Sequence, residues 1–231
     1  MENKVSINCH NNSATNFICG PIFYKNNKNN QLLDGIRLDL TSPHLAVITG
    51  PSGCGKSTLL KAIAGLISAK VTIRQLNDKK YSEKDLAKWR TKVTLLPQDA
   101  PVVTGSVEEN LTFPFHFKNS KRPFPKKEEM LALLDTFGLG HIGLNQEASS
   151  LSGGERHRLC LLRGLLWRPH VLLADEPLSG LEQNLAQRCF DIIKEFSHIH
   201  SKIVICTLHN ESLAKQADSI WRLKNGKLYR A

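Results

Sequence analysis

The chain has 231 residues, with 31 lysines and arginines against 21 acids for a formal charge of +10. That length suits one large domain, or a core with a subdomain, burying a substantial interior. No run approaches eighteen apolar residues, and Met1-Glu2-Asn3-Lys4 leads into Asn-rich sequence, so neither a spanning helix nor a signal peptide is read and a cytoplasmic location is expected. Six cysteines (Cys9, Cys19, Cys54, Cys160, Cys189, Cys206) lack Cys-x-x-Cys spacing, which argues against a zinc site or a disulfide framework and for reduced thiols, mostly in the core. The positive balance suits nucleic acid, anionic lipid or a polyanionic nucleotide, and does not choose among them. Its densest cluster, Lys118, Lys121, Arg122, Lys126 and Lys127 around Pro123 and Pro125, reads as a solvated loop.

Residues 1–16 carry weak pattern, with a short strand near Val5-Ser6-Ile7 at best. Phe17 to Tyr24 is apolar and broken by Gly20-Pro21, predicting two short strands across a turn, then a polar loop at 25–31. Ile36 to Leu40 alternates with period two, as a half-buried strand does. Leu45-Ala46-Val47-Ile48 is a buried strand, and the helix that begins near Lys56 is expected to reach about Ile67. Val71-Thr72-Ile73 and Val93 to Leu96 are further strands flanking a polar helix around Lys84–Arg90.

From 99 to about 168 no buried strand is legible. Met130, Leu131, Leu133, Leu134 and Phe137 recur at helical spacing, which predicts an inserted helical subdomain. Strand character returns at Val171–Ala174 and Ile203–Leu208, and between them Leu181, Leu185, Cys189, Ile192, Ile193 and Phe196 mark a long helix. Strands alternating with helices imply a mostly parallel sheet with its ligands at the strands' carboxyl ends.

Gly50-Pro51-Ser52-Gly53-Cys54-Gly55-Lys56-Ser57-Thr58 lies where a buried strand passes into a helix, the context of a phosphate-binding P-loop. Its glycines let backbone N–H groups curl around an anion at a helix start. Lys56 then reaches the β- and γ-phosphates, and the Ser57 hydroxyl suits Mg2+. Asp175 and Glu176 follow a buried strand directly, so Asp175 suits the metal and Glu176 can orient water and accept its proton. Leu151-Ser152-Gly153-Gly154-Glu155 contains the capping box S-x-x-E, yet Gly153 and Gly154 weaken a helix start while baring N–H groups toward phosphate.

Taken together, residues 50–58, Gln98, 151–155, 171–177 and His209 resemble the nucleotide-binding domain of ATP-binding cassette (ABC) transporters over nearly the whole chain. The resemblance implies an α/β P-loop NTPase (RecA-like) core with a mostly parallel sheet and an N-terminal antiparallel β portion. It gives one domain over 1–231, with its core at 1–98 and 169–231 and the helical subdomain at about 99–168. It further implies that Gln98 contacts metal and nucleophilic water, that Ser152, Gly153 and Gly154 bind the γ-phosphate across a dimer, and that His209 stands beside that phosphate. Tyr24, with Phe23 as rival, takes the place of the aromatic that stacks on adenine. The expected cofactors are ATP and Mg2+, with Ser57, Gln98 and Asp175 at the metal.

The implied function is that of an ATP-hydrolysing subunit working with a separate integral membrane permease and a second cassette, peripheral on the inner face of the cell membrane, with no nucleic acid. Val102, Val103, Leu111 and Phe113 are then expected either to line the permease groove or to belong to the core of the helical subdomain. Leu178-Ser179-Gly180-Leu181-Glu182 departs from the family's Ser-Ala-Leu-Asp loop by ending in Glu182. Ile48 to Pro51 together with Val107 to Pro114 is similar to small bacterial cassettes linked to iron export. The alternatives are a soluble ABC-type ATPase of DNA repair or translation, which the charge suits although no long coiled coil or second cassette is present, and a P-loop kinase or GTPase, which leaves 151–155 unexplained.

Overall fold

The computed structural model describes residues 14–99, 101–117, 120 and 122–231. The short strand expected near Val5 lies outside them. In chain order the elements are β1 (Asn16–Lys25), β2 (Gln31–Thr41), β3 (His44–Thr49), α1 (Lys56–Ala64), β4 (Lys70–Leu76), β5 (Lys79–Lys80), α2 (Leu86–Arg90) and β6 (Val93–Leu96). They continue with α3 (Val107–Thr112), α4 (Lys127–Thr136), α5 (Gly153–Trp167), β7 (Val171–Ala174), α6 (Gln183–Ile199), β8 (Ile203–Thr207), α7 (Glu211–Ala214), β9 (Ser219–Lys224) and β10 (Lys227–Arg230).

Two sheets result. An antiparallel sheet has the order β2-β1-β4-β5, and a second has the order β10-β9-β3-β8-β7-β6, in which only the β9–β10 hairpin is antiparallel. The central strands of the second sheet are buried on both faces, which explains their unbroken apolar runs. On one face Leu45, Val47, Leu172, Ala174, Val204 and Cys206 join a core shared with α3, α4, α5 and α6. On the other, Ala46, Ile48, Val171, Leu173, Ile203 and Ile205 meet α1 and the antiparallel sheet. The helices of 99–168 therefore pack onto the sheet through one continuous cluster; a Cβ on Gly164 of α5 would stand only 2.8 Å from the Leu96 side chain of β6.

Three local expectations are corrected. Phe17–Tyr24 is part of one strand rather than two: the pairing of β1 with β2 continues across Gly20-Pro21 through an irregular register. Gly20 makes this feasible, since its φ of 126° and a Cβ position only 2.3 Å from the Ile36 carbonyl oxygen admit no side chain. α1 stops at Ala64, short of Ile67, where the Gly65 and Leu66 N–H groups turn back onto the Ala62 and Lys61 carbonyls. Arg122 is not part of a solvated loop, because its guanidinium lies 4.5 Å from the Trp167 ring centroid and is half-buried. Cys19, Cys160, Cys189 and Cys206 are buried free thiols, and Cys54 is partly buried.

Candidate active site

β3 delivers the chain to the phosphate loop. At Gly50 a Cβ would lie 2.6 Å from the Leu223 carbonyl oxygen and 2.9 Å from Cys54 Sγ, so the loop closes against β9 only with glycine there. Pro51, Ser52 and Gly53 are exposed, and a Cβ at Gly53 would meet nothing within 4 Å, which leaves the mouth of the loop open. Gly55 caps α1, and the Leu59 N–H donates to its carbonyl at 2.8 Å. Lys56 is only 5% exposed, and its ammonium donates to the carbonyls of Gly50 (2.9 Å) and Pro51 (3.1 Å) across that mouth. Ser57 and Thr58 follow in the first turn of α1.

Beside the loop, three parallel strands end together. β6 runs out toward Gln98, β7 into Asp175 and Glu176, and β8 into Thr207 and then His209. Asp175 is 4% exposed and accepts a hydrogen bond from the Thr207 hydroxyl at 2.9 Å. That hydroxyl in turn accepts the Glu176 N–H at 2.8 Å. Glu176 adopts φ 50°, a left-handed conformation costly for a residue with a side chain. Its carboxylate takes both remaining partners: Oε1 is 2.7 Å from His209 Nε2, and Oε2 accepts from Gln98 Nε2 at 3.1 Å. Four expected residues, Gln98, Asp175, Glu176 and His209, are thus brought together.

Two contributors escaped the sequence reading. Thr207 was legible only as one polar residue in an apolar strand, the one signal that could have flagged it. His157, on α5, lines a small cavity with Gln98, Cys160, Asp175 and Glu176.

The 151–155 segment stands apart. Ser152 caps α5, its hydroxyl accepting the Glu155 N–H while Glu155 Oε2 accepts the Ser152 N–H at 2.7 Å. These bonds from Ser152, with one from His141 Nε2 at 3.0 Å, hold the Glu155 carboxyl down to about 2. Among the described residues no hydrogen bond joins Ser152, Gly153 or Gly154 to residues 50–58. A Cβ on Gly153 would meet nothing within 4 Å, so its own chain gives no steric reason for glycine there.

Tyr24 packs on the same core cluster as Cys54 of the phosphate loop. Phe23 turns toward Lys70, whose ammonium is 5.9 Å from its ring centroid, and toward Gly35. Glu182 is the residue preceding α6, where either carboxylic acid complements a helix N-terminus. The oxygens of Ser57, Gln98 and Asp175 form a hard donor set that fits Mg2+, and the open mouth at Gly53 fits phosphate. Among the described residues no cluster of three or more His, Cys, Asp and Glu could hold a metal ion.

Of the four residues expected either at a groove or in the subdomain core, Leu111 is core: it is fully buried where α3 packs on α5. Val102 packs partly against that core. The Val103 N–H donates to the buried Asn110 side chain, while Phe113 is 39% exposed and meets Phe117 edge-on at 5.3 Å.

Residues 33–179 match the family described as "ABC transporter". The chain is 31% identical over 194 residues to the "Probable iron export ATP-binding protein FetA" of Escherichia coli (strain K12), covering 84% of this chain and 85% of that protein. It is 32% identical to the "Lipoprotein-releasing system ATP-binding protein LolD" of Wigglesworthia glossinidia brevipalpis, over the whole of this chain and 99% of that one. A dimeric ATP-binding cassette in a post-hydrolysis state, bound to ADP and phosphate, superposes with a TM-score of 0.76 at 25% identity, covering 94% of this chain and 97% of the other. With a phosphate loop facing a carboxylate poised between a glutamine and a histidine, this chain belongs to the ABC transporter family, as an ATP-binding and ATP-hydrolysing subunit.

Proposed function

We propose that this chain powers a membrane permease carried on a separate polypeptide, with Glu176 as the base for hydrolysis. What supports this reading above all is the bonding of the Glu176 carboxylate to both Gln98 and His209 beside the phosphate loop. In this assignment the backbone of residues 50–55 and Lys56 bind the phosphates, Tyr24 stacks on adenine, and Gln98 and His209 orient water and the γ-phosphate. Ser57, Asp175 and Gln98 would hold Mg2+, which neutralises charge developing on the phosphates when bound. Ser152, Gly153 and Gly154 complete the site of a second copy, for which the open space around Gly153 speaks. The whole chain acts as one cassette, with its core at 1–98 and 169–231 and its helical part at about 99–168. It works at the inner face of the cell membrane against a cytoplasmic helix of the permease, without nucleic acid. No helix of the described residues is long and apolar enough to cross a membrane.

The decisive measurement sets steady-state ATPase against nucleotide binding for Glu176→Gln. The amide cannot accept a proton, so turnover falls by roughly 10²–10⁴-fold while ATP binding persists. Near-normal turnover would refute the role of Glu176. ATPase that DNA or RNA stimulates with steep salt dependence would replace the transport reading with a nucleic-acid one.

A further inference from the structure

The three strands that end at Gln98, Asp175 and His209 all begin next to a basic residue. Val93 is in register with Val171, and Val171 with Ile203, so Lys92, His170 and Lys202 stand in a row at the amino ends of β6, β7 and β8. Main-chain bonds tie the row together: the Val171 N–H donates to the Lys92 carbonyl at 3.0 Å and the Ile203 N–H to the His170 carbonyl at 3.1 Å. Adjacent strands lie about 4.8 Å apart, which confines the three within about 10 Å.

Two arginines of the helical part stand near enough to act on the charges of the row. Arg122 lies over Trp167, the last residue of α5, and Arg168 follows in a left-handed conformation at φ 47°. His200, just past α6, is the sixth basic residue, and all six are half-buried. Arg168 pairs with Glu129 at 2.6 Å, whereas Lys92, Arg122 and Lys202 make no ion pair among the described residues. Four cations thus share one carboxylate.

Their mutual repulsion is evident. Burial, then Arg122, Arg168 and Lys92, bring Lys202 down to about 8, while burial, then Lys202, Lys92 and Arg122, bring His170 down to about 4. A solvated fringe would spread such charges apart; here tertiary packing holds them together. An anion among them removes the repulsion and gains charge-assisted hydrogen bonds.

We propose that Lys92, Arg122, Arg168, His170 and Lys202 form a binding site for a phosphate group, at the end of the sheet opposite the nucleotide. Guanidinium and ammonium groups both donate charge-assisted hydrogen bonds to phosphate oxygens, the guanidinium in a fork that suits two of them. The strand length separates it from Asp175 by about 15 Å. The phosphate comes either free in solution, as inorganic phosphate or a small phosphorylated metabolite, or on a lipid headgroup.

The test uses the full chain with its nucleotide site filled by Mg2+ and a non-hydrolysable ATP analogue, so that the phosphate loop does not respond. Thermal unfolding is followed against inorganic phosphate, with chloride at matched ionic strength as reference. In parallel, sedimentation is measured with phosphatidylcholine vesicles with and without phosphatidic acid. The expected result is a saturable response to phosphate or to phosphatidic acid, weakened at least about tenfold in the double variant Arg122→Gln, Lys202→Gln. The responding arm identifies the source. Lys224→Gln with Lys227→Gln removes the same charge from the exposed β9–β10 hairpin and must leave the response intact. Without phosphate and at low salt, the Arg122, Lys202 variant should melt no lower than wild type, which separates lost binding from lost fold. The site is overturned if neither arm responds, if chloride reproduces the response, or if both double variants behave alike.

Discussion

The Thr207 hydroxyl donates to Asp175 Oδ1 at 2.9 Å, and through this bond one strand end fixes the buried acid at the end of its neighbour. The same oxygen accepts the Glu176 N–H, so it also steadies a backbone held at φ 50°. Thr207→Val keeps the shape and removes both bonds. We expect it to cost about 1–3 kcal/mol, the usual range for stranding a buried acceptor, and to lower ATPase turnover more than its effect on nucleotide affinity. Thr207→Ser restores the oxygen and should recover both properties. Urea unfolding with parallel ATPase assays decides this, and a silent Thr207→Val would remove the hydroxyl from the account.

On the proposed function, assembly depends on Ser152, Gly153 and Gly154 acting in trans. With ATP bound and hydrolysis blocked by Glu176→Gln, sedimentation should show a shift from monomer to dimer. Ser152→Arg, which fills the exposed helix start with a long cation, should abolish the shift while leaving ATP binding in place. A dimer that forms equally without nucleotide would count against the arrangement.

Phe113 and Phe117 form an exposed edge-on pair on the helical part, 39% and 55% accessible. Replacing either by Glu should release the protein from washed membranes without loss of soluble ATP binding, because a buried charge is costly at an apolar contact. Leu111→Glu serves as contrast, since that side chain is fully buried and the substitution should unfold the chain instead. If high salt strips the wild type and the Phe variants stay attached, the contact is electrostatic.

The basic row predicts a particular pH dependence. His170 and His200 are both brought to about 4, chiefly by burial and then by cations: Lys202, Lys92 and Arg122 for His170, and Arg168 and Lys202 for His200. In the unfolded chain each takes a proton near 6.5, so between about 6.5 and 4 the unfolded state binds more protons and stability falls as pH falls. Lys202, brought to about 8, has the same sense: stability rises with pH from about 8 to its unfolded value near 10.4. Urea midpoints at constant ionic strength should therefore drop from pH 6.5 to 4.5, and less steeply in His170→Gln. Parallel curves for the two proteins would exclude His170 as a source of the slope.

The phosphate loop, the acidic pair after β7 and the capping box at Ser152 were legible in the sequence because each is a contiguous string. In such strings the conformation follows from local chemistry: glycine where the backbone meets Leu223, a helix start after it, a polar pair after an apolar run. Gln98 and His209 lie more than a hundred residues apart and became readable only through the family pattern, although both bond Glu176. Thr207 shows in the sequence only as a polar residue in an apolar strand, and neither composition nor periodicity reveals what it bonds, nor His157 or the basic row. Their surroundings are set by strand order, which places β7 between β6 and β8 and so joins residues from distant parts of the chain. Arg122 makes the point most clearly: among several lysines and just before two prolines it reads as a solvent-facing charge, yet packing of the helical part lays it over Trp167. The sequence by itself determined which segments carry the pattern of a phosphate-binding loop and which strands are buried. Only the tertiary structure decided which strand ends meet, because side-chain partnership across a parallel sheet is a property of register and has no local signal.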